Sequence, residues 1–360
     1  MEIAILTMQR IVNMGSVLQA YSLRNMIEET TGERAVFLDI EDEPALPSRK
    51  STKESVDYAA KAAYSRTVLQ RGKRWVIARL SRLTKKKIRR FMETELHLTA
   101  DNSHREYDVV VIGSDEVFNH AKGVRLQLHG AVKQAQRVIT YAASCGNAQI
   151  EDVDEIGRAQ ICRAMGRIAA LSVRDAATQA YVAPVYHGDT LRHLDPVLAG
   201  NLHKRPAKKV WLKKYLLVYA YGQRIRTEEE IQAIRRFAKE RGLKTVAIGG
   251  SQFWCNLYLP VSPFRALDYF HYADYVVTDT FHGAIFSVIH HKQFAVLPRL
   301  TNKGKITSLL EDLGLESRLV ETINTLPQTL EETIQYDKVE QILNKERTRA
   351  REYLATHLKG

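Results

Sequence analysis

Cysteine is scarce in this chain: Cys145, Cys162 and Cys255 are the only three among 360 residues. Their wide spacing and odd number fit neither a zinc site nor a disulfide framework, and they suit a reducing cytoplasm. No apolar run approaches the roughly 18 residues of a membrane span. The N-terminal stretch has Glu2 and a very short apolar run, so it reads as a first strand and not as a signal peptide. No residue cluster has metal-ligand spacing and no nucleic-acid motif is present, so neither a metal nor a nucleic acid is expected. What is there is ordinary for a globular protein, with 45% hydrophobic and 26% charged residues. The length fits two domains of about 150 to 200 residues with a cleft between them.

Acidic residues are nearly missing between positions 49 and 90, where Glu54 and Asp57 face fifteen Lys or Arg, so this segment holds all of the net charge of +12. Trp75, Val76, Ile77, Leu80, Leu83, Ile88 and Phe91 recur within it near helical spacing. That is the pattern of a basic amphipathic helix. An anionic membrane surface, at the inner face, or a lipid-linked diphosphate is the expected partner, and a solvated helical insertion over 49–100 would carry the same pattern.

Elsewhere strand and helix alternate. Residues 3–6 read as a strand, 9–15 as a loop, 16–29 as a helix and 36–40 as the next strand, a β-α-β opening whose loop holds Asn13 and Gly15. Residues 107–112 are almost continuously apolar, as a strand inside a parallel sheet must be. Ser114 and Asp115 follow it, Ser144 follows a strand over 138–141, and Arg174 follows one over 169–173. Ligands of open α/β sheets lie outside the carboxyl ends of the strands, so these residues are expected in one crevice. Arg174 has the shape to clamp a carboxylate or phosphate in bidentate fashion, although an ion pair with Asp175 would look the same. A polar, proline-marked stretch near 201–209 separates domains expected at 1–200 and 210–330, and 331–360 reads as a helical strap.

Tyr275-Val276-Val277-Thr278 reads as a buried strand, and Asp279-Thr280 can cap a helix that begins at Phe281. His282, with Gly283 beside it, then lies in the first helical turn, where unpaired backbone N–H groups favour an anion and the imidazole adds a proton to donate. Lys305 stands near another helix start.

Seven runs carry a resemblance: NMGSVLQAYSL at 13–23, YDVVVIGSDEVFN at 107–119, ITYAASCG at 139–146, LSVRD at 171–175, LDPVL at 194–198, ADYVVTDTFHGAIFSVIHHKQF at 273–294 and KITSLLEDLGL at 305–315. In this order the chain resembles the polysaccharide pyruvyl transferase family. The resemblance implies two Rossmann-like domains in a GT-B arrangement, no cofactor, phosphoenolpyruvate as donor, and a glycan or lipid-linked oligosaccharide as acceptor on the N-terminal side. It places the donor-binding arginine on Arg174, the essential histidine on His282 and a donor-side cation on Lys305. Asn13, Gly15, Ser114, Ser144 and Gly283 join them as candidate substrate contacts. His282 would be the general acid or the stabiliser of departing phosphate, and Asp115 a base for the acceptor hydroxyl or merely a helix cap. Met14, Glu116, Phe118 and Cys145 depart from the usual family pattern, which puts acceptor identity in question more than chemistry. The same architecture also serves nucleotide-sugar glycosyltransferases and would serve a non-catalytic glycan-binding protein.

Overall fold

The computed structural model describes residues 1–41, 45–48, 68–99, 101–121 and 123–359. Two parallel sheets dominate. The first has strands β1 (Ile3–Leu6), β2 (Ala35–Phe37), β3 (Tyr107–Asp115), β4 (Ala135–Ala143), β5 (Ile168–Val173) and β6 (Thr190–Arg192), in the order β2-β1-β3-β4-β5-β6. The second has β7 (Tyr215–Ala220), β8 (Lys244–Gly249), β9 (Leu257–Tyr258), β10 (Tyr275–Thr278) and β11 (Gln293–Val296), in the order β11-β10-β7-β8-β9. β3 and β7 are central, and their apolar runs are buried on both faces, which is why neither alternates polar with apolar.

Helices flank both sheets: α1 (Met14–Thr31), α2 (Val68–Thr94), α3 (Glu155–Met165), α4 (Ala176–Val182) and α5 (Pro196–Ala199) in the first half of the chain. The second half has α6 (Glu228–Glu240), α7 (Pro263–Tyr272), α8 (Phe281–Ile289), α9 (Lys303–Asp312), α10 (Leu326–Glu331) and α11 (Tyr336–Leu358). Local chemistry sets their starts. Asn13 caps α1 by accepting the Gly15 N–H, Thr227 and Glu230 form a capping box on α6, and Thr280 caps α8 through the Gly283 N–H at 2.9 Å.

Each sheet reverses its strand order once, between β1 and β3 in the first and between β7 and β10 in the second. A reversal leaves a crevice at the carboxyl ends, because neighbouring loops there diverge to opposite faces. The two crevices face one another. The chain is tied across the gap by α11: Tyr336 donates to the Lys292 carbonyl at 2.6 Å on one side, while Tyr353 donates to the Thr140 and Ala170 carbonyls at 2.7 and 3.0 Å on the other. Arg347 adds a bond to the Leu198 carbonyl at 3.0 Å.

One expectation needs correction. The apolar stripe of α2 is not one free face, because Ile77, Ile88 and Phe91 are buried against the rest of the protein while Trp75, Val76 and Leu83 stay exposed. Phe91 packs edge-on to Phe264 with centroids 4.9 Å apart, and Thr84 shares a 2.8 Å hydrogen bond with Tyr258. Residues 49–67 of the expected insertion lie outside the described residues.

Candidate functional site

A cleft of about 1040 Å³ opens where the two crevices meet. Loops after β1 and β3 form one wall, with Asn13, Asp115 and Glu116, and Arg174 comes from the end of β5. Loops after β7 and β10 and the start of α9 form the other, with Tyr221, Arg224, Phe281, His282 and Lys305.

Arg174 is buried, its guanidinium 4.2 Å from the centroid of the Phe281 ring. Its Nη1 donates to Asp195 Oδ2 at 3.2 Å, and its Nε lies 3.8 Å from Asp175. Burial opposes its charge, yet Asp195, Asp175, Asp115 and Glu116 more than compensate and raise its pKa. Asp195 caps α5, accepting the Val197 N–H at 3.0 Å through Oδ1, and offers Oδ2 to Arg174 and His282 together. His282 Nε2 sits 3.6 Å from that oxygen, an electrostatic contact too long for a hydrogen bond. Burial works against the Asp195 charge, but His282, Arg174 and the Val197 N–H hold its carboxyl below the usual range. Two donors aimed into this cluster, Arg174 Nε and His282 Nε2, are buried without a hydrogen-bond partner. Buried polar groups in that condition call for a ligand or a water.

Lys305, in the first turn of α9, reaches across the cleft to Glu116 and lies 5.8 Å from the Phe281 ring. Glu116 Oε2 also accepts from Asn119 at 2.7 Å. Although burial resists ionisation of Glu116, Lys305 and Asn119 bring its pKa down to about 2. Asp115 ends β3 in the left-handed region at φ 76° and accepts the Glu116 N–H at 2.9 Å, so it braces its own turn and caps no helix, while its side chain lines the cleft.

The other candidates separate. Asn13 lines the cleft and points its amide at the Tyr221 hydroxyl, 3.4 Å away on the opposite wall. Gly15 gives His282 room, since a Cβ there would run into the imidazole ring. Gly283 is likewise spatial, its N–H taken by Thr280 and its Cα pressed on Thr278. Ser114 and Ser144 are fully buried behind the wall, one donating to the Ala142 carbonyl at 3.0 Å and the other to Asp175 at 2.9 Å. Ser114 lies within the end of β3, which runs on to Asp115, and Ser144 directly follows β4, but both hydroxyls turn toward neighbouring backbone and side chains instead of the cleft. Asp195 is the residue that reading by sequence passes over, because Asp followed by Pro looks like an ordinary N-cap with proline at the first helical position.

Two α/β domains, each with one reversal, facing across a cleft and tied by a returning C-terminal helix, define the GT-B fold. Glycosyltransferase SsfS6 of Streptomyces sp. SF2575, solved with thymidine diphosphate, shares this fold, with a TM-score of 0.51 and 13% identity over 100% of each chain. UDP-GlcNAc 2-epimerase of Methanocaldococcus jannaschii, solved with UDP-GlcNAc and UDP, superposes at a TM-score of 0.49 with 12% identity over 100% of this chain and 99% of its own. The polysaccharide pyruvyl transferase family model matches residues 13–300, and the chain belongs to that family. Among curated proteins none matches it. Among the described residues no group of side chains is arranged to hold a metal ion, and no helix is long and apolar enough to cross a membrane.

Proposed function

We propose that this transferase moves pyruvate from phosphoenolpyruvate onto two hydroxyls of a sugar in a polysaccharide or its lipid-linked precursor, closing a cyclic ketal and releasing phosphate. The observation that carries the reading is the convergence of Arg174, Lys305 and His282 at the α8 N-terminus, where Arg174 Nε and His282 Nε2 are buried beside carboxylates yet make no hydrogen bond. A small polyanion with a carboxylate next to a phosphate matches such a set.

In this reaction His282, protonated, gives its proton to the methylene carbon of the donor, whose double-bond electrons form the new C–H bond and leave C2 electrophilic. One sugar hydroxyl adds to C2 and passes its proton to Asp115. The bond from C2 to the phosphate oxygen breaks, with Lys305 and Arg174 neutralising the leaving group. The second hydroxyl adds to C2, and its proton leaves with phosphate. Asp195 touches no reacting atom in this scheme; 3.6 Å from His282 Nε2, it positions the imidazole. Tyr221 and Asn13, at the mouth between the walls, are placed to meet the acceptor sugar.

Incubation of the full chain with phosphoenolpyruvate and candidate glycans should release inorganic phosphate and yield a product heavier by pyruvate less water. Phosphate release without a heavier glycan, or glycosyl transfer from UDP- or dTDP-sugars in its place, would reassign the cleft to nucleotide-sugar chemistry.

A further inference from the structure

From Trp75 onward α2 presents two faces. Ile77, Thr84, Ile88 and Phe91 are buried, and Lys87 leans inward to the Pro260 carbonyl at 2.7 Å. The opposite face presents Arg79, Arg82, Lys85, Lys86, Arg89 and Arg90, all exposed, none of them in an ion pair with a described residue. Glu93, near its end, is the single acidic residue of the helix. Trp75 stands among these cations, 65% exposed with Arg79 stacked 5.7 Å from its ring, and Val76 and Leu83 flank it at 48% and 43%. Large apolar side chains exposed together and rimmed by charge mark an interaction surface, and six cations without acidic partners repel one another unless an anionic partner is present.

We infer that this outer face of α2 docks on an anionic phospholipid surface. The charge supplies long-range attraction, and Trp75 with Val76 and Leu83 supplies the apolar part that inserts at the headgroup boundary. Nucleic acid would meet the cations but gives Val76 and Leu83 nothing to bury in. Ile88, on the inner face of the same helix, lines the cleft, so docking brings the cleft to within about one helix diameter, roughly 10 Å, of the bilayer. The inference does not depend on the reaction proposed above: membrane binding and transfer fail or succeed separately.

The test is flotation of the full chain with phosphatidylcholine vesicles, with and without phosphatidylserine. The chain should float with the anionic vesicles and not with the neutral ones, and added salt should release it. Replacing Arg79, Arg82, Lys85, Lys86, Arg89 and Arg90 by Gln should weaken binding more than about 100-fold, since each cation is worth roughly fivefold at such a surface. As a check that needs no multiple variant, tryptophan emission should shift to the blue with anionic vesicles, and Trp75→Phe should abolish that shift. Equal flotation with both vesicle types, full binding by the six-fold Gln variant, a shift that survives Trp75→Phe, or retention on duplex DNA in preference to the vesicles would each overturn the assignment.

Discussion

The two crevices that meet in the cleft differ in charge. The wall built on the first sheet carries Asp115 and Glu116, with Asp175 and Asp195 close behind them, whereas the wall built on the second carries His282, Lys305, Arg224 and two helix starts. Arg174 belongs to the first wall by sequence but to the second by position, since its guanidinium lies over Phe281. The difference separates tasks. An anionic donor is favoured against the second wall, and a hydroxyl that must lose a proton is favoured against the first. Opposite charges also hold the walls together, through Glu116 with Lys305, and Asp195 adds a 3.6 Å contact to His282.

The comparison breaks most severely if the second wall loses its proton donor. His282→Ala should lower kcat by about 10²- to 10⁴-fold, the usual worth of a general acid, and leave donor affinity little changed. Steady-state kinetics with separate donor-binding measurements check this. A drop in affinity with kcat preserved would make His282 a binding residue only.

Arg174→Ala should act first on stability. Because Asp195 and Asp175 would lose their buried counter-charge, the loss is about 3 to 5 kcal/mol, larger than the contact with the donor itself. Urea unfolding measures it. An Arg174→Ala variant as stable as the parent but unable to bind phosphoenolpyruvate would show that the arginine serves the ligand and not the wall.

Gly15→Ala tests how closely the walls meet. An added methyl would strike the His282 ring and would stand only 2.9 Å from the His282 Cβ. Turnover should fall by on the order of 10²-fold from misplacement of the imidazole, with a smaller loss of stability. A restored rate in Gly15→Ala at higher donor concentration would place the damage in binding.

Much of this frame is legible in the sequence. Residues 107–112 and 275–278 announce buried parallel strands by their unbroken apolar character, and the run from Asp279 to His282 announces a capped helix with a histidine in its first turn. Which strands neighbour which is not legible, and that order decides which loops share a crevice. Short strands such as β6 and β9 are missed because two or three residues carry no periodicity. The apolar run that ends at Ile112 hides that β3 continues to Asp115 with Ser114 inside it, and Ser144, just past β4, is fully buried like Ser114. Asp195 is hidden for the converse reason: its capping bond accounts for it locally, and only the fold brings Arg174 and His282 to its second oxygen. The α2 stripe is visible in sequence too, but sequence does not say that the protein covers Ile77, Ile88 and Phe91 and leaves Trp75, Val76 and Leu83 outside.

The smallest expected effect concerns the latch between the walls, and it sharpens the comparison instead of breaking it. Glu116 has a pKa lowered to about 2, so its pair with Lys305 contributes stability that is fully present above the ordinary glutamate range near pH 4.5 and is lost as pH falls through about 2. At neutral pH the pair is intact, and a donor anion must share Lys305 with Glu116. Glu116→Gln keeps a hydrogen-bond acceptor for Asn119 but removes the competing charge, so donor affinity should rise by up to about tenfold, roughly 1.4 kcal/mol, as a charge-assisted contact is freed. Thermal stability at neutral pH should fall slightly while stability below about pH 2 should not change, because the parent has already lost the pair there. Isothermal titration with phosphoenolpyruvate decides the matter. If Glu116→Gln binds the donor more weakly, Glu116 orients Lys305 toward the ligand instead of occupying it, and the acidic wall takes part in donor binding as well as in receiving the acceptor.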